Sequence, residues 1–429
     1  MVSLQHIAVW RELRSKRFAL LLVTLAFCLV RARDQPNVDV TFGSTQASIV
    51  PADILLAVLA LVALWTVARS STALRIGLAP VAAAAFCLLI LVTGADNGAS
   101  AFVSGAKVVE LAALALGVVV LLRTAGQFEA IVDVLILFTA AADVVGVFEF
   151  MRSGGRQASF LGEHDFAALA TLPLLYGLAR VLVGDRGRRT VLAIVLGALG
   201  CILGAALASL VGLYLGAAAL VAVAAAGRRL TLSRLAVVTA VVAVVTAGTL
   251  VIRAGDLGFL QSWFGKPASR PGQYAASWSQ RLIYAYVGEK VFTAHPLLGT
   301  GWYGELPPRE FTAYLPAARA RFPDQPASYF PPADKPFIPQ QTWDQILYEL
   351  GIVGALTMLA LLASLSRAAV RAVRTVTGVA ASIPAAWLAA SIGALAGEGL
   401  FGGTPLAATF WLVAGVVLAL SGTTWTTTQ

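Results

Sequence analysis

Charged residues are scarce in this chain. Of its 429 residues, only 12% are charged while 59% are hydrophobic, and the mean hydropathy is +0.82. Soluble domains carry about 25% charged residues, so the composition excludes an ordinary soluble domain. The apolar residues recur in long runs, and a run of about 18 or more is typical of a transmembrane helix. The composition therefore predicts an all-α polytopic membrane protein.

Cysteine and histidine are also rare, with three of each. The cysteines, Cys28, Cys87 and Cys201, lie inside apolar runs, which favours small buried side chains over disulfides or metal ligands. The sequence shows no metal-ligand spacing, P-loop or dinucleotide fingerprint, so we expect no metal and no cofactor. The net charge of +9 does not indicate nucleic-acid binding, because most arginines lie in short loops between apolar runs.

The apolar runs predict about twelve spans. They lie near residues 18–30, 51–68, 77–94, 101–122, 128–150, 163–183, 190–207, 209–226, 235–252, 343–365, 379–397 and 406–421. A long polar insertion follows the ninth run. We therefore predict a nine-span membrane region (1–252), an extracytoplasmic loop with short helices (253–342) and a three-span membrane region (343–429).

The short basic loops predict the orientation. In a twelve-span count, nearly all of them fall on one side, which is the cytoplasmic side by the positive-inside rule. Arg31 and Arg33 are exceptions. The prediction is a multi-pass protein of the cytoplasmic (inner) membrane, with both termini in the cytoplasm and the large loop outside. ATP and nucleotide sugars are absent there, so an enzyme on that face needs an activated, lipid-linked donor such as a polyprenyl-linked one.

Charged residues cluster where the sixth span begins. Arg156 precedes a turn, and Glu163, His164 and Asp165 follow it at the start of a helix. Acidic residues at a helix start can simply cap its amides and suit its dipole. The alternative is a charged cluster at the mouth of a membrane cavity.

The insertion contains one stretch that predicts a surface helix. Trp278, Leu282 and Tyr286 recur at a spacing of four residues, and Arg281 and Lys290 flank this apolar face. Arginine suits bidentate binding of phosphate, and lipid phosphate is the common anion at an outer membrane surface. An ordinary amphipathic helix whose cations reach toward water remains the alternative.

Two stretches resemble the superfamily of O-antigen ligases and O-antigen polymerases, which are membrane glycosyltransferases of the GT-C type. They are AHPLLGTGWYGE (294–305) and QQTWDQILYELGIVGAL (340–356). The family carries a His, then Asn, Ser or Gln, nine residues, Gly, two residues and a small residue. Here Gln341 is followed by nine residues and Gly351, but Gln340 occupies the position of the His.

Further positions extend the resemblance over nearly the whole chain. Arg281 falls where the family keeps a loop arginine, and SFLGEHDFAALA (159–170), with Arg156 before it, resembles the family's entry into the sixth span. At the turn of residues 208–212, Leu210 stands where family members often carry an arginine. The resemblance is thus to a divergent member that lacks the motif His.

The resemblance implies transfer of a sugar or glycan from a polyprenyl-(pyro)phosphate-linked donor to a lipid, glycan or protein acceptor. The protein would be a metal-independent ligase or polysaccharide polymerase of the cell envelope. Such a reaction needs cations at the leaving phosphate and a base for the acceptor hydroxyl. The predicted catalytic residues are Glu163, His164, Arg281 and Asp344. The predicted substrate-binding residues are Arg156, Asp165, Trp278, Lys290, Trp302, Tyr303, Gln340 and Gln341.

The roles divide by chemistry. Arg281, helped by Arg156 and Lys290, is expected to bind the phosphate. The candidates to accept the proton are Glu163, His164, Asp165 and Asp344, with Glu163 and His164 ranked above Asp344. The two glutamines are expected to bind sugar or phosphate. The aromatic residues are expected to stack on sugars, although they also fit an aromatic belt at the membrane interface.

Two other classes are open. A transporter or flippase of lipid-linked glycans would show internal repeats and a charged central cavity, and no repeat is visible. A non-catalytic scaffold would keep its function after alanine substitution of Arg281 and Arg156.

Overall fold

The computed structural model describes residues 16–42, 45–69, 77–228, 230–254, 273–332, 341–376, 378–397 and 404–422, with the side chains of residues 42, 273–278 and 404 left aside. Within these ranges the chain forms α-helices, two short 3-10 helices (Ala32–Asp34 and Ala327–Tyr329) and one small hairpin. The helices are α1 Lys16–Cys28, α2 Pro51–Arg69, α3 Leu78–Asp96, α4 Ala99–Leu121, α5 Ala125–Ser153, α6 Glu163–Leu182, α7 Arg188–Gly204, α8 Leu207–Ala226, α9 Leu232–Ile252, α10 Gln273–Ala294, α11 Pro308–Arg321, α12 Thr342–Thr375, α13 Val379–Leu395 and α14 Thr404–Gly422.

The helices follow the predicted apolar runs. Among the described residues, nine helices are long and apolar enough to cross a membrane, and α13 is a shorter apolar helix. This confirms a polytopic helical membrane protein. Each predicted span overlaps one helix, but α1 has 13 residues and α7 has 17. The number of crossings, the three-region division and the orientation therefore stay predictions.

Two helices form the centre of the bundle. The apolar stretches of α6 and α14 are 89% and 83% buried, whereas those of the other candidate spans are at most half buried. α6 packs against α5, α7, α8, α13 and α14. The predicted charged cluster therefore lies at the start of a helix that other helices enclose.

Residues 273–332 cover one end of the bundle, which we call the loop face. α10 and α11 enclose a small apolar core of their own. Its members include Ile283, Val287 and Val291 from α10 and Phe311 and Leu315 from α11. Tyr348 of α12 belongs to the same core, so this layer is packed onto the membrane helices.

The segment between the first two predicted spans contains an antiparallel hairpin. β1 is Val38–Phe42 and β2 is Thr45–Ile49, with Val38 opposite Ile49. This hairpin is a departure from an all-helical chain. It follows Arg31, whose guanidinium reaches the start of α6.

The two motif stretches interlock. α12 is interrupted at Gly351, whose φ of 58° and ψ of −155° are not helical. The break leaves backbone groups without helical partners, and the loop before α11 satisfies them. The hydrogen bonds are Thr300 N to Tyr348 O at 2.9 Å, Ile352 N to Pro296 O at 2.8 Å and Val353 N to Leu297 O at 3.2 Å.

Candidate active site at the loop face

Arg156 and Glu163 meet at the start of α6. Arg156 Nη1 lies 2.7 Å from Glu163 Oε2, and their side chains are 7% and 30% exposed. Arg156 Nε also donates to the carbonyl oxygen of Gly204 at 2.9 Å. The predicted pair is therefore brought together beside the last turn of α7.

The end of α7 explains why arginines gather there. The last carbonyls of a helix have no intrahelical donors, and the negative end of its dipole favours cations. Gln157 N donates to Leu203 O at 2.9 Å, and Arg253 Nη1 donates to Ala205 O at 3.1 Å. Arg253, which follows α9, is only 6% exposed. Two guanidinium groups are thus held at one helix end.

Arg281 arrives from the covering layer. Its Nη1 donates to the carbonyl oxygen of Gly397, just after α13, at 2.8 Å. Burial raises the pKa of the nearby Tyr284 phenol, so this side chain stays neutral over the physiological range. Arg281 therefore links α10 to the membrane helices at the same end of the bundle.

His164 lies where these cations converge. Its neighbour Glu163 binds Arg156, and the backbone oxygen of Glu163 lies beside Gly204. Arg253 binds the next residue, Ala205, and Gly397, which Arg281 binds, packs against Ala208. His164 of α6, Arg156 in the turn before it and Arg281 of α10 were predicted site residues, whereas Arg253 was not. We call Arg156, Arg253 and Arg281 the arginine cluster. Together with Glu163 and His164, it can bind an anion beside two groups able to accept a proton.

Asp165, the next residue, is engaged elsewhere. Its Oδ1 accepts a hydrogen bond from Leu406 N at 2.8 Å, and its Oδ2 lies 3.9 Å from Arg31 Nη2. Asp165 is 7% exposed and ties the start of α14 to the start of α6. These contacts are structural. They also give a reason for Arg31, which lies on the side of the membrane where the positive-inside rule does not expect a basic residue.

Trp302 and Tyr303 lie at the far side of the loop face. Trp302 is fully buried, and its ring fills a notch that Gly94 and Gly105 leave between α3 and α4. Its backbone N–H donates to Thr93 Oγ1 at 3.1 Å. Trp302 thus serves packing in this structure, whereas Tyr303 is 49% exposed. A role of Tyr303 in sugar stacking stays a prediction.

Three further predicted residues have no described contact with the arginine cluster. Asp344 lies in the first turn of α12, Gln341 precedes that helix, and Lys290 Nζ lies 5.2 Å from the centre of the Tyr286 ring. Among the described contacts, none joins these three to the cluster. The side chain of Trp278 and all of Gln340 lie outside the described residues.

Sequence reasoning missed two residues. Arg253 received no role, although a basic residue directly after an apolar run, on the side that the charge rule disfavours, was a usable signal. Glu349 is a buried carboxylate in α12, 4% exposed. It accepts from Tyr303 N at 3.3 Å and from Gln345 Nε2 at 3.4 Å. An acidic residue within an apolar helix was the available signal there.

Comparison with known proteins agrees with the motif resemblance. Residues 192–359 match the family described as O-Antigen ligase. The matched segment contains Arg253, Arg281 and both motif stretches, whereas Arg156 and the start of α6 precede it. No curated protein matches the chain. Proteins of this family are in general glycosyltransferases of the ligase or polymerase kind. Residues 192–359 are therefore an O-antigen ligase domain, which confirms the O-antigen ligase superfamily predicted from the sequence.

Proposed function

We propose that this protein transfers a sugar or glycan from a polyprenyl-linked donor to an acceptor hydroxyl at the outer face of the cytoplasmic membrane. The carrying observation is the arginine cluster beside Glu163 and His164. Arg156 binds Glu163 and the carbonyl oxygen of Gly204, Arg253 binds the carbonyl oxygen of Ala205, and Arg281 binds that of Gly397. The ligase domain supports glycosyl transfer in general. The basic short loops support the outer location of the loop face.

The arginine cluster binds the phosphate of the donor. A guanidinium has five N–H donors in a planar fork that matches phosphate oxygens. The cluster lies at helix ends, and therefore near the depth of lipid headgroups. As the bond between the sugar and the phosphate breaks, negative charge grows on the leaving oxygen, and fixed cations stabilise it most in a water-poor site.

Glu163 accepts the proton. In the resting structure its carboxylate binds Arg156 at 2.7 Å. A donor phosphate competes for Arg156 and weakens this ion pair, which leaves the carboxylate able to act as a base. The acceptor oxygen then attacks the anomeric carbon, the electron pair of the broken bond leaves with the phosphate, and the hydroxyl proton passes to Glu163. His164, the next residue, is the alternative acceptor.

Alanine variants of the cluster test the proposal. Removal of one donor to a developing anion costs about 100-fold in kcat or more, so Arg253→Ala and Arg281→Ala should each lower glycan transfer by about that factor. The assay uses purified protein in nanodiscs with a lipid-linked glycan donor. Arg152→Ala is the matched control, because Arg152 is exposed in the last turn of α5, four residues before Arg156 in the chain. Full activity of both cluster variants would refute the proposal.

A second pair of variants identifies the base. Glu163→Gln removes the carboxylate but keeps a hydrogen-bonding side chain. We expect it to lower kcat by at least about 100-fold, which is the smallest effect typical of losing a general base. His164→Gln is compared under the same conditions. If His164→Gln abolishes transfer while Glu163→Gln does not, the base is His164 and the assignment to Glu163 is wrong.

A further inference from the structure

A corner of the covering layer, residues 295–299, exposes two adjacent leucines. Leu297 and Leu298 are 67% and 48% exposed. Single exposed aliphatic residues are common on proteins, so the neighbouring surface decides their meaning. Apolar side chains of α12 continue this surface below the corner. They are Ile352, Val353, Leu356 and Leu359, exposed by 43%, 37%, 60% and 53%.

The exposed residues of α12 share one helix face. Their spacing of one, four and seven residues from Ile352 places them along a single stripe. α12 is apolar enough to cross a membrane, and an apolar stripe on the outside of such a helix faces lipid. Leu297 and Leu298 extend this lipid-facing stripe beyond the break at Gly351.

Helix lengths give the depth of the corner. The hydrocarbon core of a bilayer is about 30 Å thick, which about 20 helical residues span. The basic end of α12 carries Arg367, Arg371 and Arg374, and counting that length back from them reaches residues 348 to 355, which bracket Ile352. α3 gives an independent measure, because its 19 residues end at Asp96. Both counts place the outer edge of the hydrocarbon at the level of the corner.

Backbone hydrogen bonds hold the corner at this depth. The carbonyl oxygens of Pro296 and Leu297 accept from the amides of α12 that follow the break, at 2.8 and 3.2 Å. On the α3 side, Asn97 Nδ2 donates to Thr300 O at 3.1 Å and to Trp302 O at 3.2 Å. The corner therefore cannot rise from the membrane without the helices.

We propose that residues 295–299 form a wedge that inserts into the lipid leaflet on the loop face. Leu297 and Leu298 contact the acyl chains close to the glycerol level. His295, whose Nε2 lies 2.6 Å from Glu310 Oε1, marks the headgroup level above them. The partner is the bilayer itself. The inference does not depend on the donor or on the reaction.

Depth-dependent quenching tests the wedge. Leu297→Cys and Leu298→Cys are labelled separately with an environment-sensitive thiol fluorophore, in phosphatidylcholine nanodiscs that contain lipid spin-labelled near the glycerol. The three native cysteines are buried, so labelling of the unsubstituted protein gives a low background. Ala313→Cys, on the exposed side of α11, is the matched control.

If the wedge inserts, quenching at Leu297→Cys or Leu298→Cys should be about twice that at the control, Ala313→Cys. The reason is that an interfacial apolar group lies about 5–10 Å into the leaflet. The wedge also predicts a blue-shifted emission relative to the control. Equal quenching and equal emission at all three sites would overturn it. Two labelled positions keep the test decisive if one variant does not fold.

Discussion

Gly351→Ala is the sharpest test of how the two motif stretches are joined. A Cβ at this position would lie 2.5 Å from Leu297 O, 2.6 Å from Leu297 C and 2.7 Å from Gly299 N. All three are backbone atoms, so no side-chain rotation relieves the contact. The loop must move away from α12, and the three backbone hydrogen bonds between them are then lost.

The expected cost has two parts. The backbone conformation of Gly351 is nearly restricted to glycine, and a residue with a side chain there costs about 1–3 kcal/mol. Three lost hydrogen bonds, at about 0.5–1.5 kcal/mol each, add about 1.5–4.5 kcal/mol. Gly378→Ala separates the two parts. Gly378 has a similar conformation, with φ 73° and ψ −148°, but a Cβ there meets nothing within 4 Å.

The assay compares the free energies of unfolding of both variants in one detergent. Unfolding is measured by the reaction of the buried cysteines with a thiol fluorophore. We expect Gly351→Ala to be less stable than Gly378→Ala by about 1.5–4.5 kcal/mol, the share of the three lost hydrogen bonds. Hydrogen exchange at the amides of Ile352 and Val353 should rise in Gly351→Ala alone. Equal stability of the two variants, with unchanged exchange, would refute the interlocking of the motifs.

Three other substitutions have defined outcomes. Gly162→Ala would place a Cβ 1.6 Å from the Nη2 of Arg31 at a φ of 106°, so it should displace Arg31 and lower transfer activity. Gly155→Ala, at a φ of 69° and with nothing within 4 Å, is its control and should stay active. Trp302→Ala empties a fully buried notch and should lower the free energy of unfolding by about 3–5 kcal/mol, measured by thiol reactivity. Asp344→Asn should leave kcat within about twofold of the unsubstituted protein in the nanodisc assay if the base lies at the start of α6, since a general base contributes far more than that.

Local pattern was enough to predict the helices. Long apolar runs bounded by arginine, glycine and proline form α-helices in a membrane, because every backbone group must be hydrogen-bonded within the segment. The charged cluster at the start of α6 was also visible, since Glu163 and His164 are adjacent in the chain. A place for Arg281 near them was expected only from the family resemblance. In the structure Arg281 binds Gly397, which packs against Ala208 at the start of α8.

Contacts between distant segments were beyond sequence reasoning. Trp302 was expected to stack on a sugar or to lie at the membrane interface, because nothing in its neighbourhood shows the notch formed by Gly94 and Gly105. The role of Gly351 was visible as a spacing but not as a break whose amides are capped by Pro296 and Leu297. Such contacts depend on packing between helices, which a one-dimensional pattern does not contain.

The hydrogen bond from Leu406 to Asp165 has a consequence for biogenesis. It joins residues 241 positions apart, and Arg281 likewise reaches forward to Gly397. A nascent chain that has emerged only as far as the end of α13 has the arginines and the histidine but neither of these two bonds. The start of α6 can take its final arrangement only after α14 has been synthesised and packed against it. A chain that stops before α14 therefore cannot form the arrangement that we propose as the site.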